Sequence, residues 1–405
     1  MGYQSKVLSS VSWMTLFRGI TRGLTFVRLA ILGRILTPTE FGFFGIATLL
    51  LALLEILTET GINVFLVQQK SHIGKYINSA WVVSITRGVI LSLFIFSSDS
   101  FVSDFFNSPG AYHILVMTAL VPLIRGFINP AIISYQKDLL FNKEFRYRTV
   151  LFIVDVFISV IAGFITRSAI SFVYGLIASA LVEVILSYVL IPLHPTIRFE
   201  WDKIKYIIRK GWWITLAGIF TYAGENGDNF IVGKIMGPAS LGIYQIAYKF
   251  STLPISEITV VVNQVTFPVF SKFATDKKRL QNAFVKVSVI TGVLSLLLGG
   301  AILVFARPII TIVMGTQWDA AIPAVQILAV YGILRTFFGN FAPLFLSVGK
   351  QSYVAQMTAA RLIGLAIFII PSINHFGLIG AGYAMLASIF FEIPIALYFI
   401  RKVLY

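Results

Sequence analysis

Eight basic residues, Arg18, Arg22, Arg28, Arg87, Arg125, Lys249, Arg335 and Arg361, lie inside long apolar runs of this 405-residue chain. Eight acids share those runs: Glu55, Glu59, Asp155, Glu183, Glu225, Asp228, Glu257 and Glu392. An Arg or Asp at the centre of a membrane span costs roughly 2.5–3.5 kcal/mol even on a lenient insertion scale, so the whole set facing lipid would cost about 40 kcal/mol. These side chains must therefore face a polar interior or one another.

Guanidinium groups gathered in such an interior would bind an anion. Arg18 and Arg22 are one turn apart and share a helix face. Arg87 and Arg361 enter at similar depth in their spans, and Arg125 and Arg335 sit near mid-span. The planar fork of arginine donates two hydrogen bonds at once, which suits phosphate. The candidate anion cavity is thus Arg18, Arg22, Arg87, Arg125, Arg335, Arg361 and Lys249. The competing expectation is that the arginines pair with the nearby acids and lock helices together. Other chemistries lack their residues. There is no cysteine, the four histidines fall in loops or at helix ends without a ligand partner at metal spacing, and no P-loop, GxSxG, HExxH or dinucleotide fingerprint occurs. No cofactor, no metal and no enzymatic activity are expected.

The elements that hold these residues must be membrane spans. The chain is 57% hydrophobic and only 12% charged, with a mean hydropathy of +0.87, whereas a soluble domain is about 25% charged. Apolar runs predict about twelve helices, near 10–36, 42–67, 79–98, 112–135, 149–166, 170–191, 211–236, 240–263, 284–305, 321–346, 353–371 and 376–400. Of the 32 Lys and Arg, only Arg34, Arg167, Lys234 and Arg307 fall in the loops read as external, while the other loop cations fall in segments read as cytoplasmic. That bias puts both termini in the cytoplasm. The net charge of +15 is then a topology signal, and no nucleic-acid partner is expected.

The chain also repeats itself. Residues 13–47 overlay 213–247 without a gap, matching Trp13 with Trp213, Thr15 with Thr215, Gly33 with Gly233, Pro38 with Pro238 and Gly42 with Gly242. Asn63 and Asn263 keep the spacing, and Arg125 with Phe127 is echoed by Arg335 with Phe337. An even number of spans separates the copies, so the halves are parallel repeats about an axis along the membrane normal. The expected fold is all-α: a six-helix lobe over 1–193, a cytoplasmic linker over 194–210, a second six-helix lobe over 211–405, and a central cavity that serves alternating access. Residues Gly224 to Asn229 hold glycines and amides in mid-span, which predicts an interrupted, cavity-lining segment. In the repeat register Asp228 falls opposite Arg28, so these two are expected to pair and close the outer mouth, a plain structural kink being the other reading. Arg28, Asp228, Glu225, Glu55 and Glu59 form the candidate gate or coupling set.

The run from Arg28 through Thr37-Pro38 to Gly42, Gly61 with Leu66-Val-Gln-Gln69, Leu241 to Phe250, Pro254, Phe267 to Lys272 and Gly349-Lys350 resemble Wzx-type polysaccharide flippases of the multidrug/oligosaccharidyl-lipid/polysaccharide exporter superfamily. Nearly the whole chain is covered by the resemblance. Some relatives have fourteen spans, and this chain is expected to stop at twelve. The resemblance implies movement of undecaprenyl-pyrophosphate-linked oligosaccharide from the inner to the outer leaflet of the cell inner membrane, for O-antigen, capsule or exopolysaccharide. It makes helix 1 cations such as Arg18 and Arg22 candidates for function. The partners expected are that substrate and membrane lipid, with a polysaccharide polymerase and a chain-length regulator as further candidates, around a monomer. Two alternatives stay open: a cation-coupled multidrug exporter, whose cavity should carry excess acid, and a membrane glycosyltransferase or polymerase, which should show larger outer loops.

Overall fold

The computed structural model describes residues 3–58, 66 and 74–404, and every regular element among them is helical. Hydrocarbon offers no partner to a backbone N–H or C=O, so a chain of these apolar runs must satisfy its amides internally. The helices form two compact units, Met1–Gly227 and Asp228–Tyr405.

Unit 1 contains α1 (Tyr3–Ile35), α2 (Pro38–Leu57), α3 (Gly74–Phe105), α4 (Tyr112–Thr118), α5 (Leu120–Gly126), a 3-10 turn (Pro130–Ile133) running into α6 (Ser134–Lys137), α7 (Phe141–Thr166), α8 (Ile170–Val189) and the first part of α9 (Trp201–Phe273). Unit 2 contains the remainder of α9, then α10 (Lys277–Val304), α11 (Ala306–Val313), α12 (Ile322–Phe338), α13 (Phe341–Ser347), α14 (Gln351–Phe376) and α15 (Leu378–Leu404). Large apolar side chains such as Phe94, Phe96, Phe157, Ile165, Leu297 and Phe390 stand exposed on the outer faces, as a protein dissolved in lipid requires. The molecule is an all-α, multi-pass membrane protein.

Among the described residues nine helices are long and apolar enough to cross a membrane, or ten when one bent pair counts as a span. The difference from twelve has two sources. α1, with Arg18, Arg22, Arg28 and Arg34 along its 33 residues, is not among the nine. The apolar stretch Gly218–Val260 is 43 residues long, which suffices for two crossings at about 20 residues each.

That stretch divides at Gly237, where φ is 78° and ψ is −177°. Only glycine occupies that region readily, and Pro238 follows without an N–H to continue the ladder. The break sits 200 residues after the one between α1 and α2, where Thr37 caps α2 by accepting from the Glu40 amide and Pro38 opens the helix. The repeat register is thus expressed as matching punctuation. It also corrects one expectation: Gly224 to Asn229 stay helical, and the interruption comes at Gly237. The polar groups at 228 and 229 bond to each other and to Tyr244, so the helix need not open there.

The other departures are local. The span expected over 112–135 is broken, its two parts bent by 73° around Asn129-Pro130. Residues 201–210, expected as linker, already belong to α9. The units divide at Gly227 and not near 194–210 because the start of α9 packs on α2: Tyr222 donates its hydroxyl proton to the Leu49 carbonyl (2.6 Å), and Gly218 lies against Ile56.

Candidate functional site

Unit 1 encloses a cavity of about 480 Å³ between α2, α3, α5, the 130–137 bend, α7 and α8. A close helix crossing forms its back wall. A methyl group at Gly88 would approach the Pro122 carbonyl to 2.5 Å and the Gly126 Cα to 3.1 Å, so glycines let α3 and α5 touch through their backbones. The bend exposes backbone groups, and side chains claim them. The Phe127 carbonyl accepts from Trp81 Nε1 (3.3 Å) and the Tyr188 hydroxyl (3.1 Å). Asn129 donates its amide to Ser187 Oγ (3.0 Å) and its side chain to the Leu193 carbonyl (2.8 Å), while its own oxygen accepts from the Ala131 amide.

Three arginines and three glutamates face this cavity: Arg87, Arg125, Arg148, Glu55, Glu144 and Glu183. Arg125 lies between Glu55 (3.5 Å) and Glu183 (3.6 Å). Arg148 binds Glu144 at 2.8 Å, and Glu144 also accepts from Gln136 Nε2 at 2.6 Å. Arg87 donates to Thr58 Oγ1 (3.0 Å) and to the Glu55 carbonyl (2.5 Å) at the end of α2. Tyr147 also lines the cavity, its buried hydroxyl without a hydrogen-bond partner among the described residues.

Elsewhere in unit 1, Arg28 reaches Asp155 on α7 at 2.6 Å, with both side chains largely buried, and its guanidinium stands 5.5 Å from the Phe172 ring centre. Gly175 lets α8 lie directly on Asp155 and Ser159. Farther along α1, Arg22 is exposed and Arg18 half-buried, and a methyl group at Gly19 or Gly23 would meet nothing within 4 Å among the described residues. Glu225 is exposed near the end of the unit. Glu59 lies outside the described residues, as do Gly61, Asn63 and 67–69.

Unit 2 buries a second polar cluster. Asp228 is fully enclosed and accepts from the Tyr244 hydroxyl (2.7 Å), the Asn229 amide (2.8 Å) and Asn229 Nδ2 (3.1 Å). Arg361 on α14 faces Glu392 on α15 at 3.9 Å, both deeply buried. Arg335 lies within electrostatic reach of Arg361, and both act on Tyr331. Lys249 is half-buried on α9.

The geometry sorts the expected residues into groups. Arg87 and Arg125 share a cavity with Glu55, and Arg335 gathers with Arg361. Arg28 pairs with Asp155 within unit 1, and Asp228 is held by Tyr244 and Asn229 within unit 2. Asp155 attracts Arg28 because α7 packs along α1 and leaves both charges largely buried. Sequence reasoning missed Glu144, Tyr147 and Arg148, which it left in a loop, and the tyrosines Tyr244 and Tyr331. The Asn129-Pro130 dipeptide was the available signal for the bend.

A family described as "Polysaccharide biosynthesis protein" matches residues 31–323. Lipopolysaccharide biosynthesis protein WzxC of Escherichia coli K12 is 24% identical over 340 residues, 83% of this chain and 69% of that one. Among solved structures, the lipid II flippase MurJ in an inward closed conformation matches with a TM-score of 0.75 at 16% identity, covering 96% of this chain and 87% of that one. An inward-facing multidrug resistance MATE family transporter matches with a TM-score of 0.72 at 14% identity, covering 97% and 98%.

Proposed function

The chain belongs to the polysaccharide biosynthesis protein family, and from that membership we propose that it is a flippase for polyprenyl-pyrophosphate-linked oligosaccharide, carrying the head group from the inner to the outer leaflet of the cell inner membrane. The name of its lipopolysaccharide-biosynthesis relative and the fold shared with a lipid flippase support this reading. The protein's role is translocation and not catalysis.

The observation that carries the proposal is the cationic face of α1. Arg18, half-buried, and Arg22, exposed, lie one turn apart on this face beside Gly19 and Gly23. Arginines facing lipid are costly, so this face borders polar space, where two guanidinium groups one turn apart would hold a pyrophosphate. In unit 2, Arg335 lies within electrostatic reach of Arg361, whose carboxylate partner Glu392 stands 3.9 Å away, a second place for phosphate oxygens. The physical need is plain. Each unsatisfied hydroxyl in hydrocarbon costs roughly 2–7 kcal/mol, so a head group of several sugars cannot cross unaided. With both termini cytoplasmic, outward movement of a dianion runs with an inside-negative potential, at roughly 2.3 kcal/mol per charge per 100 mV. A multidrug exporter shares the fold, but an organic cation would be repelled by the α1 face.

The test is genetic and biochemical. A deletion strain should accumulate lipid-linked oligosaccharide on the cytoplasmic leaflet, and Arg22→Ala should reproduce that accumulation at normal protein abundance. Normal translocation by both Arg22→Ala and Arg22→Lys would remove the α1 face from the mechanism.

A further inference from the structure

We propose that the unit 1 cavity is a subsite for an uncharged sugar of the head group, distinct from the cationic positions that take the pyrophosphate. The proposal rests on the flippase reading and names what this particular cavity holds.

Charge balance is the first argument. Arg125 is bracketed by Glu55 and Glu183, and Arg148 is bound to Glu144. A phosphate oxygen approaching Arg125 would meet two carboxylates on the way, and these like charges repel it. A neutral polyol meets no such barrier. Its hydroxyls can donate to carboxylate oxygens and accept from guanidinium N–H groups in the same pose, because carboxylates only accept and guanidinium groups only donate.

Unused bonding capacity is the second. Tyr147 is 7% exposed, and its hydroxyl has no hydrogen-bond partner among the described residues. Buried polar groups are nearly always satisfied, so an orphan on a cavity wall marks a place for something the cavity receives. The Arg125 contacts of 3.5 and 3.6 Å are long for charged hydrogen bonds, which close to about 2.7–2.9 Å. A hydroxyl can enter between these groups without breaking a tight pair.

Size is the third. About 480 Å³ falls in the roughly 300–1,000 Å³ range of small-molecule pockets. Ile56, Leu91 and Ile132 supply apolar wall for the C–H faces of a sugar ring.

The chain has no cysteine, so a single thiol in the cavity reports occupancy without background. Ser84→Cys on α3, and Ile132→Cys on the bend as an independent reporter, are labelled with a maleimide in membrane vesicles. The vesicles contain host lipid-linked oligosaccharide, sugar-free polyprenyl pyrophosphate, or neither. The expected result is at least fivefold slower labelling with the oligosaccharide lipid alone. Equal protection by the sugar-free lipid would assign the cavity to phosphate and overturn the proposal, as would no protection by either lipid. In parallel, Tyr147→Phe and Glu183→Gln should slow translocation about tenfold at normal abundance, and unchanged translocation in both would overturn it. If the wild-type protein itself fails to clear substrate from the inner leaflet, the flippase reading falls instead, which the labelling arms do not decide.

Discussion

Two kinds of arginine are present in these spans, and their neighbours separate them. Arg28 is structural: it meets Asp155 at 2.6 Å in a setting only 15% and 10% exposed. Removing one partner of a buried pair strands the other, at about 3–5 kcal/mol, whereas replacing both with apolar residues is often neutral. Arg28→Ala should therefore lower the melting temperature in detergent sharply, and Arg28→Met combined with Asp155→Leu should recover most of the loss. An unchanged melting curve for the single variant would show that the pair holds nothing together. Arg22 is the contrasting case, since its exposed position lets Arg22→Ala alter transport without altering stability. The sequence announced that sixteen charges needed partners or water, but which acid served which base depended on helix packing. Asp155 was visible as an in-span acid. That it would claim Arg28 followed from α1 lying on α7, which no local pattern encodes.

Helix existence was readable from apolar length, while helix interruptions were readable only in part. Pro38 and Pro238 shared a register in the repeat and mark breaks in both copies. Gly224 to Asn229 looked like a break and is not one, because polar side chains in a helix can be satisfied by the neighbouring turn and by Tyr244. At Gly237 the backbone angles exclude a side chain, so Gly237→Ala should cost about 1–3 kcal/mol, seen as a lower melting temperature and faster proteolysis near residue 237. Gly88→Ala should cost a comparable amount, about 1–3 kcal/mol for overpacking, because its new methyl group meets the Pro122 carbonyl. A Gly88 variant as stable as the parent would mean that α3 and α5 can part without penalty. The 130–137 bend escaped notice since its flanks read as one apolar run, and with it went Glu144, Tyr147 and Arg148, whose value comes from the wall they complete.

For the molecule as a whole, composition forced the solvent and the solvent forced the all-helical fold; the cavity in unit 1 came from the packing alone. Cation placement predicts the orientation. A reporter active only in the cytoplasm should work when fused after residue 405 or within 138–143, and one active only outside should work near 106–110; the reverse pattern would invert the direction of transport. The Asn129-Pro130 corner carries a further consequence for how a guest is received. Its backbone oxygen and amide are latched by Trp81, Tyr188 and Ser187, and Asn129 ties it to the Leu193 carbonyl. A corner fastened at so many points is a rigid bracket and not a hinge. The walls are ordered when the chain folds, so little conformational freedom remains to be lost at capture. Selectivity at this corner then rests on whether a guest matches a shape already set, and a mismatched one gains nothing from waiting.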